Sequence, residues 1–304
     1  MEIIYLKDTK DILTDIKELG LVLGFFDGVH IGHAQLINFA KQNTRRGSLG
    51  VLTFDRALKS VEGSLMSVSD KAEAMEKLGV DYLFVIVCDD NFKRMSYKTF
   101  IEQVLKRFNP KDLFCGPDFK YGYQAEGDVS YLKQCFPSTY VLGYVKDHFG
   151  EKISSSSIKN SILKGEIEEA NRHLGRVYRV NGAVIRGFSA GAKLGFPTAN
   201  LLPDINYVFP PNGVYFTKTT INGVVYNSIT NVGTHPTINE VATPIVETFV
   251  LNNNFDSLYG EHIQTYFYKR LRPEIKFNSV DELKKQIEND VAACKRYFEY
   301  EVKN

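Results

Sequence analysis

The apolar residues of this chain change their spacing near residue 174, and that change limits the folds open to it. Before this point, short apolar runs alternate with segments of helical spacing, which predicts a parallel sheet with helices on both faces. After it, apolar and polar residues alternate in short runs, which predicts an antiparallel sheet. We therefore expect an α/β domain over residues 1–173 and a β domain over residues 174–304.

The first half holds six candidate strands and four candidate helices. The strands are at residues 3–6, 21–24, 50–54, 82–87, 113–115 and 140–145, and the helices are at 34–42, 70–78, 97–108 and 128–134. Ligands of open parallel sheets bind beyond the carboxyl ends of the strands. Polar or glycine-containing loops follow the second, third and fifth strands, so we expect these three loops to converge on one crevice.

A turn rich in glycine joins the second strand to the first helix. His30, Gly32 and His33 lie at or just before the start of that helix, where free N–H groups and the helix dipole favour an anion. Two imidazoles can also donate hydrogen bonds to a phosphate as its charge grows. The pattern predicts attack on the α-phosphate of a nucleoside triphosphate. Turn or cap histidines are the structural alternative, and a zinc site would need further ligands that the neighbouring sequence lacks.

Two Asn-Gly pairs in the second half predict β-hairpins. Asn181–Gly182 would join strands at 178–180 and 183–185, and Asn222–Gly223 would join strands at 214–221 and 224–229. Strands at 245–251 and 263–270 bring the count to six, and a closed barrel leaves such strands without open edges. A helix over 279–298, with Ser279 as its N-cap and Glu282 in the capping-box position, would close the domain.

Polar residues in this half point to phosphate chemistry. The glycine-rich segment 187–195 can bring backbone amides close to a phosphate. Thr198 and Asn200 can place a hydroxyl and an amide oxygen on Mg²⁺, although such a segment is by itself more often a turn. Glu247 interrupts an apolar strand, where a carboxylate is costly to bury. It is either a hydrogen-bonded structural residue or a general base that accepts a proton from an attacking hydroxyl.

Several motifs resemble those of the bacterial bifunctional riboflavin kinase/FAD synthetase family, and they follow the family's order along the chain. Gly-Phe-Phe-Asp-Gly-Val-His-Ile-Gly-His at 24–33 resembles its nucleotide-binding signature. Residues 116–122, with Gly127-Asp128, resemble its G-x-D-F-R-F-G loop, and residues 153–159 resemble its I-S-S-T-x-I-R segment. Residues 194–200 resemble its L-G-F-P-T-A-N kinase motif, and residues 231–237 its N-V-G-x-R-P-T loop.

The resemblance implies a Rossmann-like nucleotidyltransferase domain and a riboflavin kinase barrel, with riboflavin, FMN, FAD and ATP as substrates or products. It implies catalytic roles for Glu247, His30 and His33. It implies ATP binding by Gly24, Phe26, Asp27, Gly28, Gly32, Ser156, Lys159, Gly187, Lys193 and Gly195. Asp118, Phe119 and Tyr121 would bind flavin, and Thr198 and Asn200 would bind Mg²⁺.

The chain departs from the family pattern at three places. Residues 53–59 read Thr-Phe-Asp-Arg-Ala-Leu-Lys where the family has a Pro-His-Pro-type turn. Lys159 replaces an arginine whose planar fork can grip phosphate at two points, and His235 replaces another arginine. The first two departures fall on the adenylyl-transfer site and keep the first of two alternatives open. These are a riboflavin kinase with weakened adenylyl transfer and a non-catalytic flavin- or nucleotide-binding regulator.

Composition excludes some classes of partner. The 37 basic and 36 acidic residues leave a net charge of +1, so no broad field favours nucleic acid or a membrane surface, and we expect small-molecule substrates. Four cysteines without C-x-x-C spacing predict free thiols in a reducing cytosol. With no signal peptide and no long apolar run, a cytoplasmic location is expected. A homo-oligomer is left open.

Overall fold

The computed structural model describes the chain except for residues 13–15, 45, 57–62, 187–194, 236–242, 252–254, 256 and 302–304. The chain divides into two compact units, Met1–Ser155 and Ser156–Asn304. Within the described ranges, no helix is long and apolar enough to cross a membrane.

The first unit is a six-stranded parallel sheet flanked by helices, as the sequence predicts. Its strands are β1 (Glu2–Leu6), β2 (Gly20–Leu23), β3 (Leu49–Phe54), β4 (Tyr82–Ile86), β5 (Asp112–Cys115) and β6 (Thr139–Val141). Its helices are α1 (Ile31–Asn43), α2 (Val68–Lys77), α3 (Asp90–Lys93), α4 (Tyr97–Phe100), α5 (Lys106–Phe108) and α6 (Val129–Cys135), and a π-helical turn (Ile101–Leu105) joins α4 to α5. Strand β6 ends at Val141, four residues earlier than predicted.

Both faces of the sheet are covered, which explains why its strands are apolar throughout instead of alternating. Successive residues of a strand point to opposite faces. Leu21 and Leu23 of β2 therefore pack with Phe84 in one core cluster, and Val22 packs with Ile37 of α1 in the other. Each fully buried side chain of this size contributes about 1.5–3 kcal/mol.

The order of the strands places the three expected loops side by side. The sheet order is β1-β4-β3-β2-β5-β6, so the chain moves from β2 toward β3 and later returns to add β5 on the other side of β2. A crevice forms at such a reversal, beyond the carboxyl ends of the strands. The strands that precede the three loops, β3, β2 and β5, are therefore neighbours in the sheet, as the predicted convergence of the loops requires.

The second unit is a closed antiparallel barrel with one long helix against it. Helices α7 (Ser155–Lys164) and α8 (Ile167–Leu174) lead into strands β7 (Tyr178–Ile185), β8 (Thr198–Pro203), β9 (Gly213–Ile221), β10 (Val224–His235), β11 (Thr243–Val250) and β12 (His262–Arg272), and helix α9 (Val280–Glu301) follows. The order around the barrel is β10-β11-β8-β7-β12-β9. The predicted count of six strands is confirmed.

The prediction of a hairpin at Asn181–Gly182 is wrong. Strand β7 runs without interruption through both residues, and a Cβ on Gly182 would lie 2.1 Å from the carbonyl oxygen of Leu202. This glycine therefore permits the close approach of strand β8 and makes no turn. Strand β8, which contains Thr198 and Asn200, takes the place of the second arm of the predicted hairpin.

The second Asn-Gly pair does form the predicted hairpin. Asn222 and Gly223 have φ values of 49° and 78°, and positive φ at both central residues is the backbone that a tight two-residue hairpin requires. The turn joins β9 to β10, which pair antiparallel from Ile221 and Val224 onward.

The two faces of the barrel strands differ in chemistry. One face of β9, β10 and β11 is lined by buried hydroxyls, and Thr217, Thr230 and Thr248 form hydrogen bonds of 2.9 Å across neighbouring strands. The opposite face packs Phe216 and Ile229 against helix α9. Because residues alternate between the faces, the residues on either side of Thr230 and Thr248 lie on the face toward α9.

Candidate functional site

The turn after β2 places a histidine at the start of helix α1. His30 is the N-cap, and its Nδ1 accepts a hydrogen bond of 3.4 Å from the backbone N–H of His33. A neutral imidazole that accepts at Nδ1 carries its proton on Nε2. His30 is buried, and its ring stacks on the ring of His33 with centroids 3.6 Å apart. Both imidazoles are thus held beside the free N–H groups of the helix.

Two glycines of this turn are needed for packing. A Cβ on Gly32 would lie 3.1 Å from Cε1 of His30, and a Cβ on Gly24 would lie 2.8 Å from the ring of Phe26. Phe26 itself has a φ of 55° and Gly28 has a φ of 86°, a region that glycine enters without strain. The glycines predicted to bind ATP therefore also let the chain turn tightly enough to present the histidines.

Asp27 anchors the turn to its surroundings. Its side chain is almost completely buried, and Oδ1 accepts a hydrogen bond of 2.8 Å from the backbone N–H of Leu65. Its carbonyl oxygen accepts a 2.7 Å hydrogen bond from the hydroxyl of Ser155. Of the predicted residues that follow on helix α7, Ser156 is exposed and Lys159 is buried.

The loop after β5 carries the three predicted flavin-binding residues in different settings. Asp118 is exposed and forms a 2.6 Å ion pair with Lys152. The ring of Phe119 is partly exposed and stacks on Tyr121 at 5.6 Å, whereas Tyr121 is buried against Phe100 at 5.4 Å. Phe119 thus offers an aromatic surface, and Tyr121 supports it from beneath.

The structure describes only part of the segment after β3, where the sequence departs from the family's Pro-His-Pro-type turn. Oδ1 of Asp55 accepts a 3.1 Å hydrogen bond from the backbone N–H of Cys88, and its other carboxylate oxygen lies 3.3 Å from Nε of the exposed Arg56. Residues 57–59, Gly187 and Lys193 lie outside the described residues, as does the side chain of His235. Gly195 is described and has a φ of 87°.

In the barrel, strand pairing brings polar residues of three strands together. Glu247 of β11 lies directly opposite Asn200 of β8 on one side and Asn231 of β10 on the other. Thr198 lies opposite Phe249, two residues further along β11. Directly opposed residues, and residues two apart, share a face of a sheet. Glu247 therefore lies between two asparagines of the neighbouring strands, with Thr198 on the same face.

This polar patch lies at one side of a cavity of about 510 Å³. Thr198, Asn231 and Glu247 line it together with apolar residues of the barrel and of α9, among them Ile229, Phe249, Leu283 and Ile287. Glu247 is half-buried and lies in the cavity wall, so a hydroxyl group of a molecule bound in the cavity would lie near it. Small-molecule sites combine apolar walls with a few polar groups in this way and have similar volumes.

Thr198 is also in the wall of a smaller cavity of about 130 Å³. It is lined by Thr198, Pro197, Phe255 and Tyr259, among others. Ala199, Thr248 and Val250 also line it, so it lies mainly on the face of β8 and β11 opposite to that of Glu247.

An ion pair links β12 to helix α9 at the wall of the larger cavity. Nη2 of Arg272 lies 2.7 Å from Oδ2 of Asp290, and Nε lies 3.1 and 3.0 Å from the two carboxylate oxygens. Nε2 of Gln286 donates a further 2.8 Å hydrogen bond to Oδ1. The side chains of Arg272 and Asp290 are only 16% and 6% exposed, so each charge depends on the other.

Asp290→Ala should lower the free energy of unfolding of the second unit by about 3 kcal/mol, because it leaves the Arg272 guanidinium buried without its carboxylate. Urea unfolding followed by circular dichroism measures this loss. Glu288→Ala, at an exposed position of the same helix, is the matched control and should change stability by less than about 0.5 kcal/mol. A similarly small loss for Asp290→Ala would contradict the assigned role of the pair.

Sequence reasoning did not assign three residues of the barrel site. Asn231 lies inside a motif that the sequence shows, but only the register of β10 and β11 places it opposite Glu247. Arg272 and Asp290 carry no local signal, since their pairing depends on how α9 docks.

The three buried thiols of Cys88, Cys115 and Cys294 have pKa values raised to about 12, in each case mainly by burial, so they are protonated at neutral pH.

Two family models match the chain, one in each unit. A model described as "Riboflavin kinase" matches residues 174–298, and a model described as "FAD synthetase" matches residues 14–157. The first contains the Thr198, Asn200 and Glu247 patch, and the second contains the His30 and His33 turn.

Individual proteins match over nearly the whole chain. The bifunctional riboflavin kinase/FMN adenylyltransferase of Listeria monocytogenes is 35% identical, and the match covers 98% of each chain. The protein of the same description from Bacillus subtilis is 36% identical over 91% of this chain and 92% of its own.

A solved crystal structure described as a macrolide-efflux protein from Streptococcus pneumoniae has a TM-score of 0.88 at 28% identity and covers 97% of this chain and 99% of its own. This likeness supports the fold, and the efflux role in that description is said of that protein alone. With both units matched and identities above 30% over nearly the full length, the chain belongs to the bifunctional riboflavin kinase/FMN adenylyltransferase family.

Proposed function

We propose that this chain makes FAD from riboflavin in two steps, one in each unit. The second unit transfers the γ-phosphate of ATP to riboflavin and releases FMN and ADP. The first unit transfers the AMP part of a second ATP to FMN and releases FAD and pyrophosphate. The observation that carries the kinase assignment is the position of Glu247 between Asn200 and Asn231 at the wall of the larger cavity.

The larger cavity suits riboflavin, which has a flat apolar ring system and a chain of hydroxyls. Ile229, Phe249 and Ile287 supply apolar walls for the rings, and the polar patch can receive the hydroxyl chain. This orientation brings the terminal hydroxyl to the carboxylate of Glu247.

Glu247 acts as the general base of the kinase step. Its carboxylate accepts the proton of the terminal hydroxyl of riboflavin as the oxygen attacks the γ-phosphorus, and the bond to the bridging oxygen of ADP breaks. Asn200 and Asn231 lie opposite Glu247 on the two neighbouring strands. The backbone pairing of these strands fixes the main chain of Glu247 before substrate binds, which lowers the entropy cost of the reaction.

The donor set around Thr198 fits Mg²⁺. A threonine hydroxyl, an asparagine amide oxygen and a glutamate carboxylate share one face of the barrel, and Mg²⁺ prefers such hard oxygen ligands and shares its shell with nucleotide phosphates. Thr198 and Asn200 would hold the ion. When bound, it neutralises the charge that develops on the transferred phosphate.

Asn200→Ala should raise the Mg²⁺ concentration that gives half-maximal FMN formation about tenfold or more, because one oxygen ligand is lost. The measurement is FMN formation from riboflavin at saturating ATP across a Mg²⁺ titration. FAD formation from FMN serves as an internal control and should keep its Mg²⁺ dependence. Asn227→Ala, at an exposed position of β10, is the matched control, and an Asn200→Ala titration curve identical to it would exclude Asn200 as a ligand.

In the adenylyl-transfer step, a phosphate oxygen of FMN attacks the α-phosphorus of ATP and pyrophosphate leaves. Charge grows on the α-phosphate oxygens, and Nε2–H of His30 donates a hydrogen bond to them at the start of helix α1, with His33 beside it. The exposed face of Phe119 can stack on the flavin rings. Ser156 and Lys159 complete the proposed ATP-binding set.

One assay separates the bifunctional enzyme from both alternatives. The purified chain is incubated with ATP, Mg²⁺ and either riboflavin or FMN, and the flavins are separated by chromatography. FMN from riboflavin together with FAD from FMN supports the proposal. FMN without FAD would leave a riboflavin kinase in which the residues after Phe54 and the replacement at Lys159 have weakened adenylyl transfer. If neither product forms, the chain would be a binding protein.

The proposal places the enzyme in the cytoplasm, since four free cysteines suit a reducing compartment. Its partners are its small-molecule substrates, and whether it forms a homo-oligomer stays a prediction for measurement.

A further inference from the structure

Lys71 of helix α2 is a buried cation that the proposed chemistry does not use. Only 2% of the residue is exposed. Its Nζ lies 2.9 Å from the carbonyl oxygen of Phe25 and 3.3 Å from that of Phe54, and 4.1 Å from the centroid of the Phe25 ring. Burying an ammonium group is costly unless hydrogen bonds replace its water. The burial of Lys71 therefore either lowers the stability of the fold or serves a specific role.

The two carbonyl oxygens belong to the loops that form the crevice of the first unit. Phe25 lies just beyond the end of β2 and leads into the turn that carries His30, and Phe54 is the last residue of β3. These strands are neighbours in the sheet. One ammonium group thus binds the chain at the carboxyl ends of two adjacent strands, the edge where ligands of parallel sheets bind.

Further hydrogen bonds hold the same turn at the same place. The hydroxyl of Thr53 donates a 2.8 Å hydrogen bond to the carbonyl oxygen of Phe25, so this oxygen accepts from two side chains. Two residues later, Asp27 accepts from the backbone N–H of Leu65. The segment that precedes α2 therefore contacts the turn at one point, and Lys71 of α2 contacts it at another.

Helix α2 is itself well fixed at the end that carries Lys71. Ser67 is its N-cap, and the side chains of Ser67 and Asp70 satisfy each other's backbone N–H groups in a capping box. Both residues are buried. Because the first turn of α2 is held by its own hydrogen bonds, it provides a rigid base from which the lysine reaches across to β2 and β3.

We propose that Lys71 is a positioning residue for adenylyl transfer. Its ammonium group holds the carbonyl oxygens of Phe25 and Phe54 at a fixed separation, so that the turn presents His30 and His33 to the α-phosphate. The inference rests on the proposed adenylyl-transfer step of the first unit. A neutral apolar side chain would leave both carbonyl oxygens without this donor, and the turn would shift. A displacement of about 1 Å at a reacting group can cost about 100-fold in rate.

The test compares Lys71→Met, Lys71→Arg and Lys77→Met in the full-length chain. Lys77 lies on the same helix with its side chain 72% exposed and pairs with Glu73 at the surface, so Lys77→Met is the matched control. FAD formation from FMN and FMN formation from riboflavin are measured on each preparation, at temperatures where circular dichroism shows the protein folded.

We expect Lys71→Met to lower kcat for FAD formation about 100-fold while FMN formation stays within about twofold of the control. Lys71→Arg should have a kcat for FAD formation at least about tenfold higher than that of Lys71→Met, since a guanidinium group can also donate to both carbonyl oxygens. A purely structural role would instead lower the unfolding temperature and leave kcat per folded molecule unchanged. FAD formation by Lys71→Met within about threefold of Lys77→Met would overturn the proposal.

If Lys71→Met does not fold, Thr53→Val takes its place, because it removes the other side-chain donor to the Phe25 carbonyl oxygen without a change of charge. It should lower FAD formation about tenfold, and FAD formation equal to that of the unchanged enzyme would overturn the proposal. An unchanged enzyme that makes no FAD would refute the adenylyl-transfer step itself. That outcome is distinct from the failure of Lys71 alone.

Discussion

Glu247→Gln is expected to lower FMN formation from riboflavin by about 100-fold to 10,000-fold, the range that general-base catalysis supplies. Glutamine keeps the size of the side chain and can still lie between Asn200 and Asn231, but its amide does not accept the proton of the attacking hydroxyl. The loss should appear in kcat, because the apolar walls of the cavity, which bind the flavin rings, are unchanged. The measurement is single-substrate kinetics with riboflavin at saturating ATP and Mg²⁺.

The two-unit chain supplies its own control for this variant. FAD formation from added FMN should be unchanged in Glu247→Gln, since that step belongs to the first unit. Glu288→Gln, at an exposed position of helix α9, should leave both activities unchanged. If Glu247→Gln kept FMN formation within about threefold of Glu288→Gln, the carboxylate would be a structural residue and another group would take the proton.

His30→Asn is expected to lower FAD formation from FMN by about 100-fold to 1,000-fold, the usual cost of removing one donor that stabilises transition-state charge. This substitution separates the two interpretations of the histidine. Asparagine is among the best N-cap residues, and its side-chain oxygen can replace Nδ1 as the acceptor of the hydrogen bond from the N–H of His33. It lacks the more distant Nε2–H, which is the group proposed to reach the phosphate.

A histidine that served only as a helix cap would tolerate this change. His30→Asn would then keep FAD formation near the level of the unchanged enzyme, and the catalytic assignment would fail. The unfolding temperature, measured by circular dichroism, should stay close to that of the unchanged enzyme in either case. FMN formation from riboflavin should be unaffected and again serves as the internal control.

The two variants can also be mixed. Glu247→Gln makes little FMN and His30→Asn makes little FAD, so neither converts riboflavin to FAD efficiently alone. Together they should do so, because FMN released by one can be used by the other. A mixture that makes FMN from riboflavin and FAD from added FMN, yet no FAD from riboflavin, would show that FMN does not pass between molecules under these conditions.

Local signals in the sequence predicted most of the elements. Apolar runs between helical segments predicted all six strands of the sheet, since strands covered on both faces need no alternation. The same local signal failed at Asn181–Gly182 and succeeded at Asn222–Gly223. An Asn-Gly pair permits a tight turn but does not require one, and at Gly182 the close approach of Leu202 decides the backbone.

The site shows the same division between local and distant signals. The order of His30, Gly32 and His33 before a helix is a local pattern, and it predicted an anion site at a helix start. The resemblance implied roles in the barrel chemistry for Thr198, Asn200 and Glu247 one at a time. Their placement opposite one another required the pairing of β8, β10 and β11, which no single segment contains.

The sequence by itself determined the two fold classes, the family motifs and the kinds of side chain available for phosphate chemistry. Only the tertiary structure decided which of these side chains meet. Lys71 lies 46 residues from Phe25 and 17 from Phe54 in the chain, and Arg272 lies 18 residues from Asp290. A buried charge is stable only where its partners converge, and that convergence depends on packing between elements.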